Sequence, residues 1–183
     1  NWKIKRIYET GDYKTFELLV NKKSFIIPTA LNSNFQIYNA VAAACIAVAS
    51  GIPFEHSLES IKNLTSPRGR MQELISHNGA KIYIDFSHTP GALENILKEK
   101  SKNNSKLFLV IGCGGNRDAQ KRKIIGNIAS KYTDLTIITD DNPRYEEPKK
   151  IRREIISGKL KNKDNLLEIA DRKQAIVKVL DLS

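Results

Sequence analysis

The spacing of apolar residues changes character along this chain. From residue 4 to residue 27 it reads as short extended runs, Ile4–Tyr8, Thr15–Val20 and Ser24–Ile27. Thr10-Gly11-Asp12 and Asn21-Lys22-Lys23 separate them with turn chemistry, which predicts strands joined by hairpins. Pro28 closes the stretch. From Asn34 to Ser50 the apolar residues Phe35, Tyr38, Val41, Ala42, Cys45, Ile46 and Ala49 recur at a helical period. Gly51 suits the position just past a helix end. Residues 54–63 predict a second, shorter helix. Thr65-Ser66-Pro67-Arg68-Gly69 has linker chemistry, so a domain boundary is expected between residues 66 and 67.

Beyond that point strand and helix patterns alternate. Strands are predicted over 81–85, 107–111, 135–139 and 165–169. Helices are predicted over 90–100, 121–131, 147–157 and 172–180. Leu107–Ile111 is a continuous apolar run, as a strand buried on both faces should be. Four βα units predict an α/β fold. Its C-terminal part is a doubly wound, mainly parallel, Rossmann-like sheet with helices on both faces, and a β-strand and helix region precedes it. The chain starts on Asn1 directly before a strand and stops just after a helix. It is therefore expected to be a fragment of something longer.

Lys and Arg number 30 against 20 Asp and Glu, a formal charge of +10. That raises nucleic acid as a partner. The densest cluster is Lys149, Lys150, Arg152, Arg153, Lys159, Lys161 and Lys163. We read it as a solvated helix face and the loop after it. Aromatic residues make up 7% and do not interleave with the basic ones, so no base-stacking platform is expected and no nucleic-acid partner. No apolar run reaches the roughly 18 residues of a membrane span. Two cysteines, Cys45 and Cys113, exclude a disulfide scaffold. With only His56, His77 and His88 besides, no metal-ligand set is expected. A cytoplasmic protein with no membrane partner is the expectation.

In open parallel sheets, ligands bind beyond the carboxyl ends of the strands. The first predicted strand leads into Asp85-Phe86-Ser87-His88-Thr89-Pro90 and the second into Gly112-Cys113-Gly114-Gly115-Asn116-Arg117-Asp118. The third leads into Asp140-Asp141-Asn142-Pro143-Arg144, and the fourth into Ala170-Asp171-Arg172. Gly112–Gly115 would let backbone N–H groups approach an anion, or simply make a tight turn. No Gly-Lys-Ser/Thr follows it and the G-x-G-x-x-G spacing fails. Pro143 biases Asn142 towards an extended conformation, which sets an amide and the Arg144 guanidinium on one rigid loop. A guanidinium fork suits a planar carboxylate. The alternative is an ordinary turn with a solvated arginine, and Arg117 on the neighbouring loop tilts against it. Asp85 reads as a ribose-hydroxyl acceptor or a helix cap. His88 reads as a base, a ribose contact or a loop histidine. Cys113 reads as a small packing residue, and His56 and His77 as surface residues. No catalytic residue is assigned.

Taken together these motifs resemble the Mur ligase family. Arg68-Gly69-Arg70-Met71-Gln72 is similar to G-R-M-E, and residues 85–90 to D-Y-A-H-T-P. Residues 112–118 are similar to G-C-G-G-D-R-D, with Lys121-Arg122 matching the K-R after it. Residues 140–144 match D-D-N-P-R residue for residue, and Phe35–Asn39 resembles F-N-x-x-N. Phe86, Ser87, Asn116 and Gln36 depart from the pattern. The resemblance implies residues 1–66 as the end of an ATP-binding domain and residues 67–183 as a C-terminal domain, incomplete at its end. It implies an ATP- and Mg2+-dependent ligase of peptidoglycan precursor synthesis, acting through an acyl phosphate. The substrates would be UDP-N-acetylmuramoyl-L-alanyl-D-glutamate and meso-diaminopimelate, and the enzyme a monomer. Asn39, Arg70, Asp85 and His88 would bind the nucleotide. Arg117, Asp141, Asn142, Pro143 and Arg144 would bind the amino acid, whose distal carboxylate calls for a cation. The P-loop and most Mg2+ ligands would lie before Asn1, so this piece alone would be inactive. Rival expectations are another Mur ligase or a folylpolyglutamate synthetase, a nucleic-acid-binding fragment, or a non-catalytic remnant.

Overall fold

The computed structural model describes residues 1–10, 13–74, 78–102 and 105–182. The predicted turn at Gly11-Asp12 and the surface reading of His77 lie outside the described residues. The chain divides into two compact units. The first comprises residues 1–76 and 81–86, the second residues 77–80 and 87–183.

The first unit opens with an antiparallel sheet of β1 (Trp2–Thr10), β2 (Tyr13–Val20) and β3 (Lys23–Thr29), in that order. Strict alternation in β2 buries Lys14, Phe16, Leu18 and Val20. Asn21 and Lys22 both adopt positive φ (47° and 70°), which lets a two-residue hairpin follow the strand twist. Helix α1 (Asn34–Ala49) starts behind Ser33, whose N–H donates to Gln36 Oε1 at 3.2 Å. It ends at Gly51, φ 99°, where the Ile52 N–H reaches Ala47 O at 3.0 Å. Helix α2 (Phe54–Lys62) follows. Phe16, Leu18, Ile27, Ile37 and Ile61 form the centre of this core.

The predicted linker is tied down along its length. The Ser66 hydroxyl donates to Gln36 Oε1 (3.1 Å) and accepts from the Asn32 N–H (3.3 Å). Gln36 Nε2 donates to Arg70 O (2.7 Å), and Asn32 Nδ2 to Met71 O (3.2 Å). Met71 is buried at positive φ, 48°. Strand β4 (Gln72–Glu73) pairs antiparallel with β5 (Tyr83–Ile84). This corrects the expectation for residues 81–85, which do not open the parallel sheet. Ile84 is 46% exposed here, whereas a strand sandwiched between helix layers is buried on both faces.

Three βα units remain in the second unit. Helix α3 (Pro90–Lys100) is capped by Thr89, whose hydroxyl accepts the Ala92 N–H. Asp85 is therefore not the cap. The parallel sheet runs β6 (Phe108–Ile111), β7 (Leu135–Ile138), β8 (Leu166–Glu168). Helices α4 (Gln120–Tyr132) and α5 (Pro148–Ile156) are its crossovers, and α6 (Arg172–Leu180) follows β8. Ile137 and Ile138 are adjacent, point to opposite faces and are both fully buried, so β7 is covered on both sides. Leu93, Leu97, Ile125, Ile128, Ile151 and Ile155 share one core with Ile111 and Ile138. Gly126 and Gly158 let the α4 and α5 backbones approach closely. A Cβ on Gly126 would stand 1.8 Å from Ile155 O.

Candidate functional site

The in-register pairing of β6 with β7 fixes where their two following loops emerge, side by side. Thr139 N–H donates to Ile111 O (2.9 Å) and carries the ladder one residue past the strands. Gly112 has no room for a side chain there, since a Cβ would meet Thr139 O at 2.5 Å. Further out the loops interlock. Gly115 N–H donates to Asn142 O (2.8 Å), and Arg144 Nη1 donates to Gly115 O (2.8 Å). Tyr145 N–H donates to Asn116 Oδ1 (3.0 Å), and Asn116 N–H donates to the Glu146 carboxylate. Asn142 Oδ1 accepts the Arg144 N–H (3.2 Å), an Asx turn that settles the side chain over its own loop.

Asn116 and Arg144 both sit in the left-handed region, at φ 48° and 51°. A non-glycine residue there persists only when its surroundings hold it. Arg144 is exposed, with its Nη1 engaged on Gly115 O. Arg117 and Asp141 are exposed and have no hydrogen bond or ion pair among the described residues. Pro143 is half-buried against the turn, and its oxygen accepts the Glu146 N–H at 3.0 Å. Thus the structure brings Asn142, Pro143 and Arg144 onto the 114–116 turn, with Arg117 just beyond it.

Sequence reasoning passed over the scaffold beneath these loops. Arg122 of α4 has zero exposure. Its Nη1 reaches Glu146 Oε2 (2.8 Å) and Glu154 Oε2 (2.7 Å), and its Nη2 reaches Glu146 Oε1 (2.9 Å) and Gly114 O (3.3 Å). Arg152 is only 8% exposed. It is not part of a solvated basic face: Nη1 pairs with Asp140, and Nε donates to Glu168 Oε1 at 2.7 Å. Asp140 is thereby committed to the fold, and Asp141 is the member of the pair left facing solvent. One signal could have found Arg122. With Ile125, Gly126 and Ala129 it falls at i, i+3, i+4 and i+7, the buried stripe of α4.

The Arg122 guanidinium, and after it the Asn116 N–H, hold the Glu146 carboxyl down at about 2 from 4.5. A depressed carboxyl contributes stability that is complete above pH 4.5 and is lost as the pH falls towards 2. Glu146→Gln should therefore lower Tm at neutral pH and flatten its fall over that acid window, as thermal melts at stepped pH would record. An unchanged acid slope would remove Glu146 from the ledger. Burial pushes the Cys113 thiol up, in keeping with a packing residue.

The nucleotide candidates fall in both units. In the first, Asn39 is exposed on α1. The Arg70 guanidinium lies 5.1 Å from the Phe86 ring centre, and Asp85 Oδ2 accepts the Met71 N–H (2.9 Å). In the second, His88 is exposed and its carbonyl accepts from Lys121 Nζ (3.0 Å). Among the described residues no group of three or more His, Cys, Asp or Glu side chains is gathered for a metal ion, and no helix is long and apolar enough to cross a membrane.

The family model described as "Mur ligase, glutamate ligase domain" matches residues 69–183, well over half of the chain. The chain belongs to the Mur ligase family. A UDP-N-acetylmuramoyl-L-alanyl-D-glutamate–2,6-diaminopimelate ligase from Rickettsia bellii is 38% identical over 180 residues, covering 96% of this chain and 37% of that protein. A solved structure described as the same ligase is 31% identical with a TM-score of 0.62, covering 97% of this chain and 37% of that one. Folylpolyglutamate synthase from Thermotoga maritima shares the fold, with a TM-score of 0.70 at 24% identity over 96% of this chain and 40% of that one. This member of the family thus spans little more than a third of the length of these curated relatives.

Proposed function

We propose that the complete Mur ligase containing this chain is an ATP-dependent acid–amino-acid ligase. It would join meso-diaminopimelate to UDP-N-acetylmuramoyl-L-alanyl-D-glutamate in peptidoglycan precursor synthesis. The observation that carries this reading is the interlocked pair of loops presenting Arg144 and Asn142 beside Arg117. The printed activity of the relatives supports it. A fixed guanidinium fork and a second arginine suit a ligand with a carboxylate remote from its reacting amine. The same arginines would repel the ammonium of a lysine side chain, which is why diaminopimelate is favoured over lysine.

ATP, when bound, supplies the phosphoryl group that converts the glutamate carboxylate into an acyl phosphate, the electrophile for the incoming amine. Arg70 and Asp85 fit a nucleotide. Arg70 presents an exposed cation over the Phe86 ring, and Asp85 offers a carboxylate whose Oδ2 is held by the Met71 N–H. Asn39 and His88 complete the proposed nucleotide set. The described residues gather no cation cage, and no step is assigned to Mg2+ on them. In this reading residues 1–66 end the ATP-binding domain and residues 67–183 carry the amino-acid site. The enzyme acts as a cytoplasmic monomer, and the isolated 183 residues form no amide bond. Assays of the complete ligase with diaminopimelate and lysine as competing acceptors test the reading. Selective incorporation of diaminopimelate is expected. Equal use of lysine would overturn the specificity, and failure to ligate either would overturn the activity.

A further inference from the structure

We propose that Glu146 is a positioning residue for the amino-acid site: braced by the buried Arg122, it holds the 142–146 loop against the 114–116 turn and so sets where Arg144 stands. This rests on the reading of Arg144 as a ligand-binding arginine. Glu146 does not itself face the ligand. One of its oxygens accepts the Asn116 N–H and Arg122 Nη2, and the other accepts Arg122 Nη1. A carboxylate occupied in this way, beside a site for another carboxylate, serves the protein rather than the substrate.

The geometry explains why a charge is needed here. A single guanidinium with zero exposure ties three segments: Gly114 O in the turn after β6, Glu146 in the loop after β7, and Glu154 on α5. The other links between the two loops are neutral or reach solvent, among them Gly115 N–H to Asn142 O and Tyr145 N–H to Asn116 Oδ1. Both left-handed residues, Asn116 and Arg144, lie within the span that Glu146 clamps. Its own N–H closes the Pro143–Glu146 turn, while its side chain fixes Asn116 across the gap. A carboxylate accepts from both sides at once. A glutamine sets its NH2 against an Arg122 amine in either orientation, and in one of them against the Asn116 N–H as well, donor against donor. Glu146→Gln therefore keeps the volume and breaks the brace on Arg122.

The test uses the complete ligase. For Glu146→Gln we expect the KM for diaminopimelate to rise about tenfold, the scale of one charge-assisted hydrogen bond lost. The KM for ATP should stay within about twofold, and the Asn116 and Tyr145 amides should exchange hydrogen faster than in the parent. Glu146→Asp keeps the charge but draws it back by one methylene. It should fall between parent and Gln, and it is judged by the same KM split if the Gln variant does not fold. A uniform rise in both KM values with a collapsed melting transition would make Glu146 a general structural residue and overturn the proposal. Arg144→Ala is run alongside. If it raises the diaminopimelate KM while neither Glu146 variant does, positioning by Glu146 is wrong and the site stands. If Arg144→Ala also leaves that KM unchanged, the reading of the site falls and the proposal falls with it.

Discussion

Replacing Arg144 by alanine in the complete ligase should cut kcat/KM for diaminopimelate by roughly tenfold to 150-fold. That range is a charge-assisted hydrogen bond of about 1.5–3 kcal/mol read as a rate ratio. The backbone contributes little to this number. Arginine and alanine are both L residues with a Cβ, so both bear the cost of φ 51° at this position. What the substitution removes is the fork and its anchor on Gly115 O. Steady-state kinetics at varied diaminopimelate, with ATP saturating, give the answer. Parental kinetics would take Arg144 out of the amino-acid site.

A loss towards the upper end of that range is expected for Gly115→Ala. The added Cβ would stand 1.8 Å from Pro143 O and 2.6 Å from Pro143 C, both main-chain atoms that no rotamer change can move aside. The two loops must part, and the 2.8 Å bond from Gly115 N–H to Asn142 O goes with them. A displacement of about 1 Å in a positioning group can cost on the order of 100-fold in rate. The variant should therefore lose about that much kcat/KM for the amino acid. Its melting temperature should fall far less than for a core lesion, since the lesion lies at the outer end of the sheet. Full activity in this variant would mean that the interlock of the loops has no bearing on catalysis.

Much of the fold can be read from side-chain rhythm. The runs at 107–111 and 135–139 are apolar enough to be read as strands of the parallel sheet, though β6 stands at the end of the described order and is largely half-buried, and Gly51 and Thr89-Pro90 mark helix ends by their own chemistry. The β4–β5 ladder cannot be read this way, because two residues per strand establish no period. The arginines mislead for another reason. Arg122 and Arg152 stand in helices among lysines, where a charged residue is ordinarily solvated. Their carboxylate partners lie 12 to 32 residues away, at Asp140, Glu146, Glu154 and Glu168. The residues proposed to face the ligand could be singled out by motif chemistry. The clasp between them could not, because most of it is made of backbone N–H and carbonyl groups common to every sequence.

The clasp has a thermodynamic consequence. Asn142 and Arg144 are held by bonds within the protein, so a ligand bound as proposed would leave few torsions to freeze and little ordering entropy to offset. The same stiffness limits compliance. In the proposed site, an amino acid whose remote carboxylate is a methylene short or long would meet a fork that cannot follow it, so selection by length would be built in before any ligand arrives.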